Sequence, residues 1–421
     1  MYLRANFSAQ EEKKRGDFSK RNYTILCQEC DKILLDYKSN IHTNAISWLH
    51  IIREHPAVLK QYYDLFQKNL DILIFFYRIK QKFINIGGLI KIFIFSLFKK
   101  NRYFDIFRSK SRKTDIIFIS HFLFKSQIHS KEDFYFGNVP NNLKKYGINS
   151  LIALINHTGK EYDLLSKDWN KKNSIQRVIL SNTINFIDEL RILFGLIKES
   201  LRLKKLAKKE KFHFKKKVLL KAAEESSTNR SMINLRLAFQ VKKLVTKTNP
   251  KILIITHEGH SFERIIFAYA RQAKKNIICI GYQHAIIFKL QSSIYLKLKK
   301  IYNPDMILTS GLTGKNILKS SKTLKDIPIK IFGSNRFIEN KVKNKFRTKI
   351  IRKYKKNKNV CLVLPEGLIT ECYTLFDFSL KCAIKFPSIK FIWRLHPGID
   401  FDTQVNHRRR YKNIPTNIIL S

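Results

Sequence analysis

Two short segments carry acid–base side chains directly after apolar runs. In THEGHSFER (residues 256–264) Glu258 stands between His257 and His260, immediately past KILIIT. A carboxylate there can take a proton from a hydroxyl held within hydrogen-bond reach. Gly259 permits a tight turn, and the amides that open the following helix favour an anion. The competing expectation is that Glu258 merely caps that helix and the histidines are polar loop residues. The HEGH spacing lacks the two intervening residues of a zinc-protease motif, so metal-dependent hydrolysis is disfavoured. In GYQHA (281–285) His284 follows the next apolar run, NIICI, and is expected on the same rim as Glu258; the plain alternative is an imidazole satisfied by backbone. Glu258 and His284 are therefore the candidate acid–base groups, with Gly259, His260, Glu263 and Gln283 around them as candidate substrate contacts.

A second set lies near the end of the chain. PEG (365–367) and RLHP (394–397) follow the apolar runs NVCLVL and IKFIW. Arg394 and His396 suit a nucleotide phosphate, and a helix starting after Glu366 and Gly367 would offer amides to the same anion. Pro397 would hold the histidine on a stiff turn, and Pro365 is counted with the nucleotide-binding candidates.

A third set is at the start. Cys27 and Cys30 in ILCQECDK, with His50 and His55 in SWLHIIREHP, give a C-x2-C and an H-x4-H pair. Thiolate and imidazole at these spacings suit a closed structural zinc site; the competing expectation is a chance grouping of these residues in a core helix. The segment TNAISWLHIIREHP is expected to be helical, with both histidines on one side.

The elements that must position these groups follow from alternation. TDIIFIS, NNLKKYG and NSLIALI read as strand, helix and strand. KILIITHEG, SFERIIFAYARQAKK, NIICIGYQH, PDMILTSG, LTGKNILKSS and IKIFGSNR repeat the order. Near-continuous apolar strands joined by helices predict an α/β protein with parallel sheets covered on both faces. The expected organisation is a zinc-finger-like module over 1–64, a basic and apolar connecting region over 65–111, and a first Rossmann-like domain over 112–339. A helical insertion over 175–246 interrupts that domain; a basic linker at 340–358 and a second, incomplete Rossmann-like domain at 359–421 follow.

Charge points to an anionic partner. The chain has 421 residues, 81 Lys and Arg against 32 Asp and Glu, and a net charge of +49. Such a length implies more than one domain, and such a charge suits nucleic acid, an anionic membrane surface or phosphorylated substrates. Ten basic residues oppose one acid in 200–221, and ten stand without an acid in 340–358; the first run is expected to be a solvated helical hairpin or a dock for anionic lipid or polymer. The apolar run 84–98 is too short to span a bilayer and contains Lys91. It is expected in the core, with an in-plane position at a bilayer interface as the alternative. Six scattered cysteines and an N-terminus without an apolar leader predict a reducing, cytoplasmic setting, with peripheral attachment to the inner face of a membrane as the variant.

The motifs THEGH, GYQHA and RLHP together resemble those of the GT-B-type glycosyltransferases of bacterial surface carbohydrate synthesis, especially the sialyltransferase and polysialyltransferase group, and the related CDP-glycerol glycerophosphotransferases. The resemblance covers residues 112–421. It implies two Rossmann-like domains with the reaction in the cleft between them, and transfer of a sugar from a nucleotide donor, CMP-linked in the first group, to a carbohydrate acceptor. It implies an acidic base at Glu258-Gly259 and a phosphate-holding pair at His396-Pro397, with no cofactor needed for catalysis. His284 is similar to the His-Gly of the glycerophosphotransferases but is followed by Ala285. The N-terminal segment looks like a BED-type or C2H2-type finger, which supports the rival reading of a nucleic-acid-binding protein; a non-catalytic scaffold on a membrane surface is the third.

Overall fold

The computed structural model describes residues 19–52, 59–66, 72–98, 114–123, 125–158, 175–288, 290–334, 359–365, 369–394, 411 and 413–420. The chain divides into two units, Met1–Phe337 and Ile338–Ser421.

The first unit is built on a seven-stranded parallel sheet. Its strands are β1 (Ile116–Phe122), β2 (Ser150–Asn156), β3 (Gln176–Ile179), β4 (Ile252–Thr256), β5 (Ile278–Gln283), β6 (Met306–Thr309) and β7 (Ile329–Ile331), in the order β3-β2-β1-β4-β5-β6-β7. Every pairing is parallel. The reason lies in the residues: β1 and β2 are buried along almost their whole length, so both faces need cover, which helical crossovers supply. Alternation sorts the side chains by face. Ile117, Ile119, Leu151 and Ala153 enter one core; Ile116, Phe118, Phe122, Ile152 and Leu154 enter the other, with Phe136 and Tyr282.

The larger core lies under a helical layer of α5 (Phe186–Lys209), α6 (His213–Ser226), α7 (Asn229–Thr248) and α8 (Ser261–Ala273). A buried ion pair, Arg236 Nε to Glu189 Oε1 at 2.7 Å, ties α7 to α5. The basic run 200–221 is thus the end of α5 and most of α6, whose Leu203, Ala207, Val218 and Leu219 are buried while the lysines at 204, 205, 208, 209 and 216 face outward. On the opposite face of the sheet, Val139 and Leu143 of the short α4 (Val139–Lys145) help close the smaller core, and α9 (Leu312–Lys319) follows β6.

Three expectations about the first unit are corrected. The described residues of the expected 1–64 module share the main core: α1 (Lys20–Leu35) and the following turns place Leu26, Cys30, Trp48 and Tyr62 with Ile117 and Leu253 of the sheet. The stretch 65–111 is more than a connector, because α3 (Ile72–Phe98) is a 27-residue helix packed on α5 and α7. The region 175–246 opens with strand β3, and its helices begin only at Phe186.

The second unit holds β8 (Val360–Val363), α10 (Ile369–Lys385), β9 (Lys390–Trp393) and β10 (Ile418–Leu420). Its parallel sheet has the order β10-β9-β8. Trp393 stacks on Phe376 at 4.3 Å, with Tyr411 edge-on, and these rings form its centre. Both units are therefore α/β, each on a parallel sheet.

Candidate active site at the switch point of the first sheet

Strand order reverses between β1 and β4, because β2 and β3 extend the sheet one way and β5 to β7 the other. Open α/β sheets bind ligands outside the carboxyl ends of the strands at such a point. His121, near the end of β1, and Thr256, the last residue of β4, stand there.

The turn after β4 is held from within. His257 continues the strand pairing by donating its amide to Tyr282 O at 2.8 Å. The Glu263 carboxylate, in the first turn of α8, then accepts the amides of Glu258 (3.0 Å), Gly259 (2.8 Å) and His260 (3.0 Å) and the Nδ1–H of His257 (2.9 Å). Gly259 has φ 91°, and a Cβ there would come within 2.5 Å of the Ser293 carbonyl carbon. No other residue type fits without moving that backbone. These contacts also correct an expectation. Glu263, named as a substrate contact, is fully buried and takes the amides of 258–260, which precede the helix; its role is to shape the turn, since a carboxylate three residues into the helix reaches back to them.

What the turn presents outward is Glu258, whose side chain is 23% exposed. His284 Nε2 lies 3.6 Å from its Oε1 and His260 Nε2 3.7 Å from its Oε2. The predicted neighbourhood of Glu258, His260 and His284 is thus assembled. Gln283 closes β5 but is buried, with its Nε2 donating to Ala285 O and its Oε1 beside Gly314 of α9. Its side chain fixes the loop.

Four residues that sequence reasoning missed complete the cluster. His121 Nδ1 lies 2.8 Å from His157 Nε2, and His121 Nε2 lies 2.8 Å from Thr256 Oγ1. Tyr135 sits edge-on to both His121 and His284, with ring centroids 5.1 and 4.6 Å away. A histidine at the carboxyl end of an otherwise apolar strand, in IIFISHF, was the available signal for His121. Burial pushes His121 well below the ordinary imidazole range, and nearby His157, His284 and His260 add to it. Burial also lowers His157 and His257. These rings are neutral at pH 7, so His121 donates from one nitrogen and accepts at the other. Such a neutral set can pass a proton without accumulating charge.

In the second unit Pro365 follows β8 and is buried, while Arg394 follows β9, is exposed, and donates its amide to Val363 O at 3.1 Å. The two stand at the carboxyl ends of neighbouring strands. Glu366, Gly367, His396 and Pro397 lie outside the described residues.

The expected zinc ligands are placed as follows. Cys27 and Cys30 are buried in α1, and burial pushes the Cys30 thiol well above its ordinary value. His50 is buried and its Nε2 donates to Asn44 O at 2.9 Å. The helix expected over this segment breaks instead into α2 (Ile41–Asn44) and a 3-10 turn (Ser47–Leu49). His55 lies outside the described residues. Among the described residues no group of three His, Cys, Asp or Glu could hold a metal ion, so Cys27, Cys30 and His50 are not gathered into one site.

Fold and site together define a Rossmann-like α/β protein with an acid–base cluster at its topological switch point. No protein-family model matches the chain, and no curated protein matches it. Among solved structures it is similar to the UDP-GlcNAc 2-epimerase from Neisseria meningitidis bound to UDP-GlcNAc, at 11% identity over 73% of this chain and 72% of that one, with a TM-score of 0.38. The UDP-GlcNAc 2-epimerase from Methanocaldococcus jannaschii gives 11% identity, 73% of each chain and 0.36. The UDP-N-acetylglucosamine 2-epimerase from Rickettsia bellii gives 13%, 74% of this chain, 69% of that one and 0.36. Likeness of this degree says nothing of activity.

Proposed function

We propose that this protein transfers a sugar from a nucleotide-sugar donor, CMP-linked in the first instance, to a hydroxyl of a carbohydrate acceptor in surface polysaccharide synthesis. The observation that carries the reading is Glu258, partly exposed at the switch point with two imidazoles within 3.7 Å. In this scheme Glu258 removes the acceptor's proton as the new glycosidic bond forms, a step worth roughly 10²–10⁴ in rate. His284 orients the carboxylate and passes the proton on, while the His157–His121–Thr256 chain holds the floor of the site neutral. Arg394, with His396 and Pro397 beyond it in sequence, is assigned to the nucleotide phosphate, where a guanidinium stabilises charge on the leaving group.

The reading is tested by thermal stabilisation with a panel of nucleotides and nucleotide sugars, since a ligand that binds only the native state raises its melting temperature. CMP and CDP compounds are expected to stabilise the protein, and Arg394→Ala to remove the effect. A panel in which no nucleotide shifts the melting temperature contradicts it.

A further inference from the structure

The helix α3 is apolar on two sides. Leu89 and Phe93 pack against the main core, Phe93 meeting Phe186 of α5 at 5.9 Å. On the adjoining face Phe83, Ile86, Ile90, Ile94 and Leu97 are exposed, and Ile84 and Phe95 are exposed further round; Phe83 is 69% so. The spacing of the first five, three, four and seven residues, sets them in one stripe along the helix. Contiguous apolar surface of this kind marks an interaction site.

Charge says what covers it. The helix contains Arg78, Lys80, Lys82 and Lys91 and no acid. Lys80 and Lys91 are exposed and stand between that stripe and the exposed Ile84 and Phe95, with Lys91 Nζ 5.7 Å from the centre of the Phe95 ring. The neighbouring α5 repeats the composition: Ile187, Phe194, Ile197 and Leu201 are exposed among Lys198, Lys204, Lys205 and Lys208, whereas its acids Asp188, Glu189 and Glu199 are all buried. Lysine stems beside an apolar stripe reach to a headgroup layer while the stripe enters the acyl boundary. A second copy of this chain would bring +49 against +49. No described helix is long and apolar enough to cross a membrane.

We infer that α3, with the outer face of α5, seats this protein in the plane of an anionic phospholipid bilayer, over a helix length of about 40 Å. This inference does not rest on the transferase reading.

The full-length chain is tested by flotation with vesicles of phosphatidylcholine and phosphatidylglycerol, beside vesicles of phosphatidylcholine alone. The wild type is expected to float with the anionic vesicles and to bind the neutral ones more weakly. Replacing three exposed side chains together, Ile86→Asp, Ile90→Asp and Ile94→Asp, is expected to weaken binding at least about tenfold with an unchanged melting temperature. In a second measurement, Phe83→Trp is expected to be quenched by lipids brominated near the headgroup end of the acyl chain. Absence of flotation, flotation of the triple variant equal to wild type, an unquenched Trp at 83, or a wild-type dimer that the triple variant dissolves in place of vesicle binding would each overturn the inference.

Discussion

Thr256 Oγ1 and His121 Nε2 lie 2.8 Å apart and join the ends of β4 and β1 across the switch point. With His157 on the other ring nitrogen at 2.8 Å, both nitrogens of His121 are hydrogen-bonded, to an imidazole and to a hydroxyl that can each donate or accept. His121 is partly buried at the rim, and both its ring nitrogens engage these side chains.

Thr256→Val keeps the shape of the side chain and removes the hydroxyl. The orphaned ring nitrogen is expected to cost about 1–2 kcal/mol of stability, and kcat is expected to fall several-fold with KM unchanged, while Thr256→Ser restores both. Ring-nitrogen chemical shifts of His121 report the tautomer directly; wild-type shifts in Thr256→Val would show that the hydroxyl does not set it.

Gly259→Ala places a methyl group against the Ser293 backbone at a positive φ. The expected loss is at least about 2 kcal/mol, read from the midpoint of urea unfolding. Because Glu258 leaves the same turn, activity is expected to fall further than the fraction unfolded. An unchanged midpoint would contradict the close approach.

Acid stability follows from the buried histidines. Burial and the nearby Arg264 charge push His50 down to about 3, below the ordinary unfolded value of about 6.5. Between those limits the unfolded chain takes up a proton that the folded chain refuses, so stability is complete above about pH 6.5 and lost as pH falls, by up to about 1.4 kcal/mol per pH unit. His121, His157 and His257 shift in the same direction. Asp31, pushed up to about 6 by burial, acts oppositely between about pH 4 and 6. The melting temperature is expected to be flat from pH 7 to 8 and to decline steadily below about 6.5. His50→Gln, which keeps a donor for Asn44 O, makes the decline shallower; an equal slope in that variant would remove His50 from the account.

Much of the fold was legible because it rests on local pattern. Runs such as IIFIS and ILIIT have no polar face, so only a sheet covered on both sides can use them, and Glu258 and His284 follow two such runs directly. What was not legible depends on distant partners. The helix expected after Thr43 stops because its carbonyls are claimed elsewhere: Asn44 O accepts from His50 and from Ser261 Oγ, and Ala45 O accepts from Asn234 of α7. Tertiary bonds of this kind override propensity. The same contacts draw residues 19–52 and 59–66 into the main core, where the Cys27–Cys30 spacing suggested a module of its own. His121 and His157 are 36 positions apart, and only the register of β1 on β2, which sets His121 opposite Ile155, brings their rings together.

The proposed role of Glu258 as base is tested by acceptor-dependent release of nucleotide from a nucleotide sugar with Glu258→Gln. The variant keeps the size of the side chain and cannot take up the proton. Turnover is expected to drop at least about a hundredfold, with nucleotide-induced stabilisation retained. Release at the wild-type rate would contradict the account.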